Sequence, residues 1–465
     1  MSHRSPWVDD RNAALLTDQY QLTMLQAYHR EELVEDAVFS LFVRRLPPSR
    51  NFLLACGLDD ALRYLETLRF DRDSLDYLAS RNEFSREFVD WLAGLRFTGD
   101  VHALPEGTPV FAEEPILEVT APLPEAQLVE TFLMNQIHFQ TVVATKAARV
   151  VHAAKGRTVV DFGLRRAHGT DAGVKAVRAY CIAGLAATSN VLAGRLYGVP
   201  VSGTMAHSYI QAHGSELEAF RAFSELYPDT VLLVDTYDTL DGVRNVTALA
   251  AELGDAFRVS AIRLDSGDLA ELAFASREML DEAGLEDVEI FASGGLDEYE
   301  IARLVEAGAP INGFGVGTGL GVSKDAPSLD IAYKLTAYAG RGRLKLSPDK
   351  RIIPGRKQVF RVEEKGVAVR DVIGLSGERD LGRPLLRQVM EAGARTPEGL
   401  MDLEEARKLA QVELARLPDR LLALDAADPP YAVRMSAKLQ AYRTKVASEV
   451  AGEGDRVVIE RPTEP

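Results

Sequence analysis

The strongest constraint on the fold of this chain is an alternation, after about Glu125, of short apolar segments with longer amphipathic segments. The apolar segments have the length of strands, and the segments between them have helical length and period. Successive βα units predict a parallel sheet, and their number and spacing suit a closed or partly open barrel. The predicted strands are Thr158–Phe162, Gly198–Ser202, Thr230–Val234, Val259–Leu264, Val288–Ala292 and Ile311–Gly315.

The segments on either side of this alternation predict further domains. Pro122–Pro124 mark a break before the alternation, and the alternation fades from Thr336 onward. We therefore divide the chain into an N-terminal α+β domain at residues 1–124, an α/β barrel at 125–338 and a C-terminal β/α extension at 339–465.

Composition and charge exclude several classes of partner. The 465 residues carry a formal net charge of −16, which argues against nucleic acid and anionic membranes as main partners. Cys56 and Cys181 show no metal or redox spacing, which favours a reducing cytoplasm. The N-terminus lacks a signal-peptide core, and no apolar run approaches the roughly 20 residues that span a bilayer. We expect a soluble, cytoplasmic protein.

Polar and glycine residues follow the carboxyl ends of nearly all the predicted strands. Ligands bind at this edge in barrels and open α/β sheets, so the recurrence predicts a binding site there. The strand-end residues are Arg165, Thr204 with His207, Asp235 with Asp238, Asp265 with Asp268, Ser293-Gly294-Gly295 and Gly317-Thr318-Gly319.

The stretch Ser202–Gly214, SGTMAHSYIQAHG, places His207 in the first turn of a predicted helix. Free backbone N–H groups beside the Thr204 hydroxyl suit phosphate or carboxylate. A neutral imidazole nitrogen is a nucleophile near neutral pH, so His207 could accept a phosphoryl group. Taken alone, such a histidine more often packs or caps a helix, and its strand-end neighbours favour the chemical interpretation.

The other strand-end motifs suit anionic and aromatic ligands. In Ile262–Leu269, two acids could bind ribose hydroxyls or a diphosphate-bound Mg2+ ion, while Arg263 could pair with a carboxylate or phosphate. The glycine-rich turns after Phe291 and Asn312 can present backbone N–H groups to phosphate, although neither fits a dinucleotide or Walker motif. In DFGLRRAHG, Phe162 and Arg165 suit a flat heteroaromatic carboxylate.

These motifs together resemble the nicotinate phosphoribosyltransferase family from about Ala13 to Arg443. In chain order the segments that carry the resemblance are LLTDQYQLTM, DFGLRRAHG, SGTMAHS, LVDTYDT, IRLDSGDL, FASGGLDE, FGVGTGL, LKLSPDKRIIPGRKQVFR and PPYAVRMSAKLQ. The resemblance implies an irregular, TIM-like α/β barrel, with a smaller α+β domain formed by N-terminal and C-terminal segments. It also implies a homodimer whose active sites lie near the subunit interface.

The resemblance further implies an activity. Nicotinate and 5-phosphoribosyl 1-diphosphate would form nicotinate mononucleotide and diphosphate in NAD biosynthesis, coupled to ATP hydrolysis through phosphorylated His207. Asp265 and Arg263 would join His207 as catalytic residues, and Mg2+ would enter with the diphosphate, contacting Asp265 or Asp235. The residues implied at nicotinate are Tyr20, Phe162, Arg165, Thr204 and Arg263, and those implied at phosphoribosyl diphosphate are Ser266, Gly294, Gly295, Gly317 and Thr318.

Three alternatives compete with this interpretation. A related enzyme could act on quinolinate, which needs extra cations, or on nicotinamide, which needs an acid where Met205 stands. A non-catalytic binding protein for phosphorylated metabolites would predict the loss of His207 or Asp265, and both are present. A barrel lyase or isomerase would want a Schiff-base lysine at a strand end, where we find none.

Overall fold

The computed structural model describes residues 8–346 and 352–459, with side chains described up to residue 452. These residues form two compact units. The first combines the described residues up to Thr141 with those from Ser328 onward, and the second is Val142–Pro327. The division at residues 124 and 338 stays a prediction. Part of the LKLSPDKRIIPGRKQVFR motif, residues 347–351, lies outside the described residues.

Strands and helices are numbered along the chain. The strands are β1 Asp36–Val43, β2 Leu53–Leu54, β3 Asp100–Ala103, β4 Pro109–Val110, β5 Pro115–Pro122, β6 Thr158–Asp161, β7 Ala187–Thr188, β8 Val231–Leu233, β9 Ala261–Leu264, β10 Glu289–Ala292, β11 Gly313–Val316, β12 Ile331–Tyr338, β13 Arg341–Gly342, β14 Lys357–Glu364, β15 Val367–Leu375, β16 Arg383–Pro384, β17 Arg387–Glu391, β18 Ala394–Arg395 and β19 Ala432–Met435. The helices are α1 Gln19–Arg30, α2 Leu58–Thr67, α3 Arg72–Ala79, α4 Arg86–Leu92, α5 Leu123–Leu128, α6 Glu130–Ala153, α7 Thr170–Ile182, α8 Val191–Tyr197, α9 His207–Gln211, α10 Glu216–Leu226, α11 Thr239–Leu253, α12 Leu269–Glu282, α13 Glu298–Glu306, α14 Thr318–Gly321, α15 Leu403–Ala415, α16 Asp419–Leu422 and α17 Ala437–Ile459.

The first unit is built on a sheet that mixes both ends of the chain. Its strand order is β13-β12-β1-β5-β3-β17-β18, so strands from the N-terminal and C-terminal segments alternate within one sheet. Strand β1 is buried along nearly its whole length because it pairs antiparallel with both β5 and β12. This arrangement confirms that N-terminal and C-terminal segments together form an α+β domain.

The second unit is built on a parallel sheet with the order β7-β6-β11-β10-β9-β8. Side chains alternate between the two faces of a strand, and Ile262, Ile290 and Phe314 are fully buried on one face. The opposite face carries Arg263 and Phe291, which are partners in register. The predicted alternation of strands and helices is confirmed, and the sheet is a half-barrel with edge strands β7 and β8.

One predicted strand, Gly198–Ser202, is wrong. Gly198 ends α8 in a left-handed conformation, and Pro200 has no N–H to donate to a ladder. Val201 makes only an isolated parallel bridge with Thr188, in the two-residue strand β7 that the sequence interpretation missed. This segment therefore borders β7 at the open side of the sheet without completing a barrel strand.

Within the described ranges, we find no helix that is both long and apolar enough to cross a membrane.

Candidate active site

The candidate site lies at the carboxyl edge of the parallel sheet, because the carboxyl ends of parallel strands meet at one edge. Helix-capping residues determine where the chain turns from strand to helix at this edge. For example, Asp238 and Asp268 cap the N-termini of α11 and α12 with their carboxylates, so each chain segment turns from strand to helix within a few residues. The loops between strand and helix carry the polar side chains described below.

His207 begins the short helix α9, as the sequence predicts. Its Nδ1 lies 3.0 Å from the Thr236 hydroxyl, and its Nε2 lies 3.9 Å from a carboxylate oxygen of Asp265. The side chain of His207 is 41% exposed, so a ligand can reach the ring. Sequence analysis missed Thr236, although it directly follows the strand-end residue Asp235 and the same positional argument applies to it.

Two carboxylates stand at the ends of β8 and β9. The Ser266 hydroxyl and the Asp265 backbone N–H donate to Oδ2 of Asp235, at 2.6 Å and 3.1 Å. The Ser293 hydroxyl donates to Oδ1 of Asp265. Oδ1 of Asp235 is buried and has no hydrogen-bond partner among the described residues. Asp235, Asp265, Ser266 and Ser293 therefore form a carboxylate cluster in which one oxygen of Asp235 remains available for a cation or a hydroxyl group.

Arg263 lies within β9 and points into this cluster. Burial lowers the pKa of its guanidinium, while the nearby charges of Asp265 and Asp235 act in the opposite direction. One Nη donates a long 3.5 Å hydrogen bond to the carbonyl of Met205, and the buried Nε has no partner in the described structure. A partly buried guanidinium with an unused donor is suited to a planar anion such as a carboxylate.

Two phenylalanine rings lie over glycines of the neighbouring strand. The ring centroids of Phe162 and Phe291 are 6.3 Å apart, with planes inclined at 51°. A Cβ at Gly315 would lie 2.4 Å from the Phe162 ring, and one at Gly313 would lie 2.7 Å from the Phe291 ring. Glycine at these positions therefore lets both rings lie close to the strand. Phe291 was missed, although its position two residues before Ser293 places it on the same face of β10.

The two glycine-rich loops also meet at this edge. Gly294 has φ of +87°, and a Cβ there would lie 1.8 Å from the Asp265 carbonyl oxygen, so its loop packs directly on the end of β9. A Cβ at Gly319 would lie 3.0 Å from the carbonyl of Leu296, so the second loop packs against the first. Gly317 is partly buried at the start of that second loop, and Thr318 is exposed as the first residue of α14.

Thr204 and Arg165 lie near the edges of the cluster. Thr204 is half-buried before α9, and its hydroxyl donates to the Met205 carbonyl. Arg165 is exposed, in a 3-10 turn after β6, and its charge helps to lower the pKa of Arg263.

Asp161 supports the loop that carries Phe162 and Arg165, and sequence analysis did not assign it a role. Its buried carboxylate accepts hydrogen bonds of 2.7 Å from the Thr188 hydroxyl and from the backbone N–H of Gly163. Burial raises the pKa of Asp161, whereas these two donors lower it.

Tyr20 belongs to the first unit and is not among the side chains that the second unit brings together. It lies on α1, where Gln21 donates a 2.9 Å hydrogen bond to its hydroxyl. Burial and the charges of Glu130 and Asp18 raise the pKa of Tyr20 to about 12.

The side chains that could bind the expected Mg2+ ion are carboxylates of this site. Residues 8–346 and 352–459 hold no group of three or more His, Cys, Asp or Glu side chains arranged for a metal ion. Magnesium is commonly bound by one or two carboxylates together with substrate phosphates. Asp235 and Asp265, with the unpartnered Asp235 oxygen, fit that mode.

Comparison with protein-family models gives two matches. Residues 15–138 match the N-terminal domain of nicotinate phosphoribosyltransferase, and residues 143–334 match the C-terminal domain of quinolinate phosphoribosyl transferase. Among characterised sequences, a nicotinate phosphoribosyltransferase of Mycobacterium tuberculosis is 56% identical over 426 residues, 92% of each chain. The nicotinate phosphoribosyltransferase of Bacillus subtilis is 45% identical over 361 residues, which cover 76% of this chain and 74% of the relative.

Solved structures share the fold. Human nicotinic acid phosphoribosyltransferase superposes with a TM-score of 0.83 at 31% identity, covering 92% of this chain and 99% of the human chain. The nicotinate-nucleotide pyrophosphorylase of Pyrococcus furiosus superposes with a TM-score of 0.71 at 25% identity, covering 90% and 98%. These similarities confirm the expected irregular, TIM-like α/β architecture.

Proposed function

The chain belongs to the nicotinate phosphoribosyltransferase family, and from this we propose that it forms nicotinate mononucleotide and diphosphate from nicotinate and 5-phosphoribosyl 1-diphosphate. We also propose that ATP hydrolysis through phosphorylated His207 is coupled to this reaction. The observation that carries the substrate assignment is Arg263, whose buried Nε is unpaired and whose partner in register on the next strand, Phe291, has its ring 6.3 Å from that of Phe162.

Nicotinate is a flat ring with one carboxylate. Phe162 and Phe291 offer ring faces and edges for stacking, and Arg263 offers a charged fork for the carboxylate. Binding a carboxylate there would satisfy the unused donor of Arg263, which is otherwise costly to bury. Thr204, Arg165 and Tyr20 are the further contacts that the family resemblance suggests.

The glycosidic bond forms by displacement at C1 of the ribose. The pyridine nitrogen supplies the electron pair for the new C–N bond, and the C–O bond to diphosphate breaks with its electrons leaving on diphosphate. In this proposal Asp265 stabilises positive charge that develops on the ribose, and the phosphates are held by Ser266 and by the loops at Gly294-Gly295 and Gly317-Thr318. The support is that Asp265 and the first of these loops lie together, with Gly294 packed against the Asp265 carbonyl. Asp235 and Asp265 would hold Mg2+, which neutralises charge on the diphosphate.

His207 is accessible and oriented by Thr236, as a phosphoryl acceptor needs to be. An imidazole nitrogen forms a bond to the γ-phosphorus of ATP while the bond to the β-phosphate oxygen breaks, releasing ADP. Water later hydrolyses the phosphohistidine to inorganic phosphate. ATP hydrolysis in this cycle supplies free energy for the reaction of the two bound substrates.

We expect the enzyme to act as a cytoplasmic homodimer. Helix α8 supports this expectation, because Val191, Leu192 and Leu196 expose 71%, 55% and 59% of their surface. Exposed apolar patches of this kind often mark protein interfaces.

The experiment measures nucleotide product and ADP together, with Mg2+, ATP, phosphoribosyl diphosphate and nicotinate, for the native chain, His207→Ala and His213→Ala. His213 is the matched control, because it contacts Tyr209 within its own turn and stands outside the cluster. We expect ATP turnover to disappear in His207→Ala and to persist in His213→Ala. Equal ATP turnover in both variants would return His207 to a structural role. Parallel assays with nicotinamide and quinolinate test the substrate, and absence of product from nicotinate would refute the assignment.

A further inference from the structure

A buried ion cluster in the second unit involves residues that directly follow the two glycine loops in the chain. Lys146, on the second half of α6, is 2% exposed in its side chain and contacts the carboxylates of Glu298 and Asp325. The Nζ to Asp325 distance is 2.8 Å. Arg149, one turn further along α6, donates to the second oxygen of Glu298 at 3.0 Å. Glu298 is fully buried, and these two cations lie against its carboxylate.

Each of these two carboxylates follows one of the two glycine loops in the chain. Glu298 is the first residue of α13 and directly follows the loop that contains Gly294 and Gly295. Asp325 follows α14, which begins with Thr318 at the start of the second loop. Lys146 therefore joins the downstream ends of both loops through one ammonium group.

This link matters because glycine-rich backbone has little of its own to fix it. Gly294 and Gly295 both have positive φ, and glycine has the largest conformational freedom of any residue. Backbone N–H groups stabilise a phosphate group best when they are already oriented, since reorganisation would otherwise reduce the gain. Lys146 and Arg149 both contact Glu298, and Lys146 also contacts Asp325.

We propose that Lys146 is a positioning residue for phosphoribosyl diphosphate, because it fixes Glu298 and Asp325 so that the two glycine loops face one phosphate group of that ligand. The proposal rests on the proposed function for the identity of that ligand. It assigns Lys146 no contact with substrate. A purely structural lysine would lower stability when replaced, but would affect the KM values of both substrates alike.

The test compares Lys146→Met, Asp325→Asn and Lys357→Met in the full-length protein. We expect Lys146→Met to raise the KM for phosphoribosyl diphosphate by about 10- to 100-fold, with little change in the KM for nicotinate. Asp325→Asn weakens the ion pair to the second loop and leaves the Lys146–Glu298 pair in place, so it should raise the same KM by a smaller factor. Lys357→Met is the matched control, because Lys357 is equally buried and pairs with Glu118 at 2.8 Å in the first unit.

The control should lower the thermal midpoint without a selective change in the KM for phosphoribosyl diphosphate. If Lys146→Met and Lys357→Met lose stability alike and neither shifts that KM selectively, Lys146 is only structural. If Lys146→Met does not fold, an unchanged KM in Asp325→Asn overturns the proposal. Calorimetric binding of phosphoribosyl diphosphate with Mg2+ separates this inference from the activity. Weaker binding of this ligand in the variants supports it even if native protein does not turn over nicotinate, whereas unchanged binding opposes it.

Discussion

At the residue scale, Arg263 differs from an ordinary strand residue because its charged side chain is partly buried without full compensation. Asp265 and Asp235 supply opposite charge nearby, but the guanidinium donates to the Met205 carbonyl, and its buried Nε has no partner among the described residues. A buried donor of this kind costs free energy in the unliganded protein. Such a cost persists at a position where a ligand offsets it.

We predict that Arg263→Lys lowers kcat/KM for nicotinate by at least about 30-fold, equivalent to about 2 kcal/mol. A lysine keeps the charge but loses the planar fork that matches a carboxylate. Steady-state kinetics with nicotinate as the varied substrate give the result. Arg258→Lys, at an exposed position just before the same strand, is the control and should behave like the native chain. A native-like Arg263→Lys variant would mean that the carboxylate binds elsewhere.

At the element scale, the two glycine loops differ in how much space their glycines leave. Gly294 combines a φ of +87° with a contact against the Asp265 carbonyl, whereas Gly295 has a φ of +68° and no atom within 4 Å of an added Cβ. Both positions impose backbone strain on alanine, at roughly 1–2 kcal/mol. Only at Gly294 must the loop also move away from the end of β9.

We therefore predict that Gly294→Ala reduces kcat/KM for phosphoribosyl diphosphate by about 100-fold, because a displacement of about 1 Å is enough to misplace phosphate donors. Gly295→Ala should lower thermal stability slightly and leave this ratio within about 10-fold of the native value. Kinetics and thermal unfolding of the two variants provide the measurement. Equal effects of the two substitutions would show that strain alone, and not the contact with Asp265, determines the loop position.

The elements also show how far sequence patterns reach. Apolar segments bounded by polar turns located the strands that became β6, β8, β9, β10 and β11, and the residues after them fell at one edge because parallel strands end together. The same apolar signal failed at Gly198–Ser202, because Gly198 still ends α8 and Pro200 has no N–H to donate, which leaves an isolated bridge at Val201. Thr236 and Phe291 escaped prediction because their roles depend on neighbours brought close only by folding, namely His207 and the glycines of β11.

At the scale of the whole molecule, the proposed substrates and the protein carry charge of the same sign. The chain has a formal net charge of −16, while nicotinate, phosphoribosyl diphosphate and ATP are all anions. The net charge of the chain therefore does not attract them at long range, and we propose that recognition depends on cations placed at the sheet edge, such as Arg263 and Arg165, at short range. Excluding solvent from such a site strengthens the short-range electrostatic interactions within it, and association of two chains is one way to exclude solvent.

The exposed face of α8 is our candidate for that association. Val201, itself 51% exposed, lies against Gly194 of α8, and Thr204 follows three residues later, so this apolar face continues toward the loop before His207. We predict that the native chain is a dimer by light scattering coupled to size exclusion, and that a double variant carrying Leu192→Glu and Leu196→Glu is a monomer. Two carboxylates on this face would have to be buried without partners in the dimer.

The monomer should also lose most of its turnover if the active sites lie near the interface. Leu400→Glu, at a leucine that is 65% exposed in the first unit, is the control and should remain dimeric. A double variant that remains dimeric would exclude α8 as the interface. A native chain that is monomeric at assay concentration would remove the dimer from the mechanism altogether. A monomeric variant with full activity would show that association contributes to stability and that each chain completes its own site.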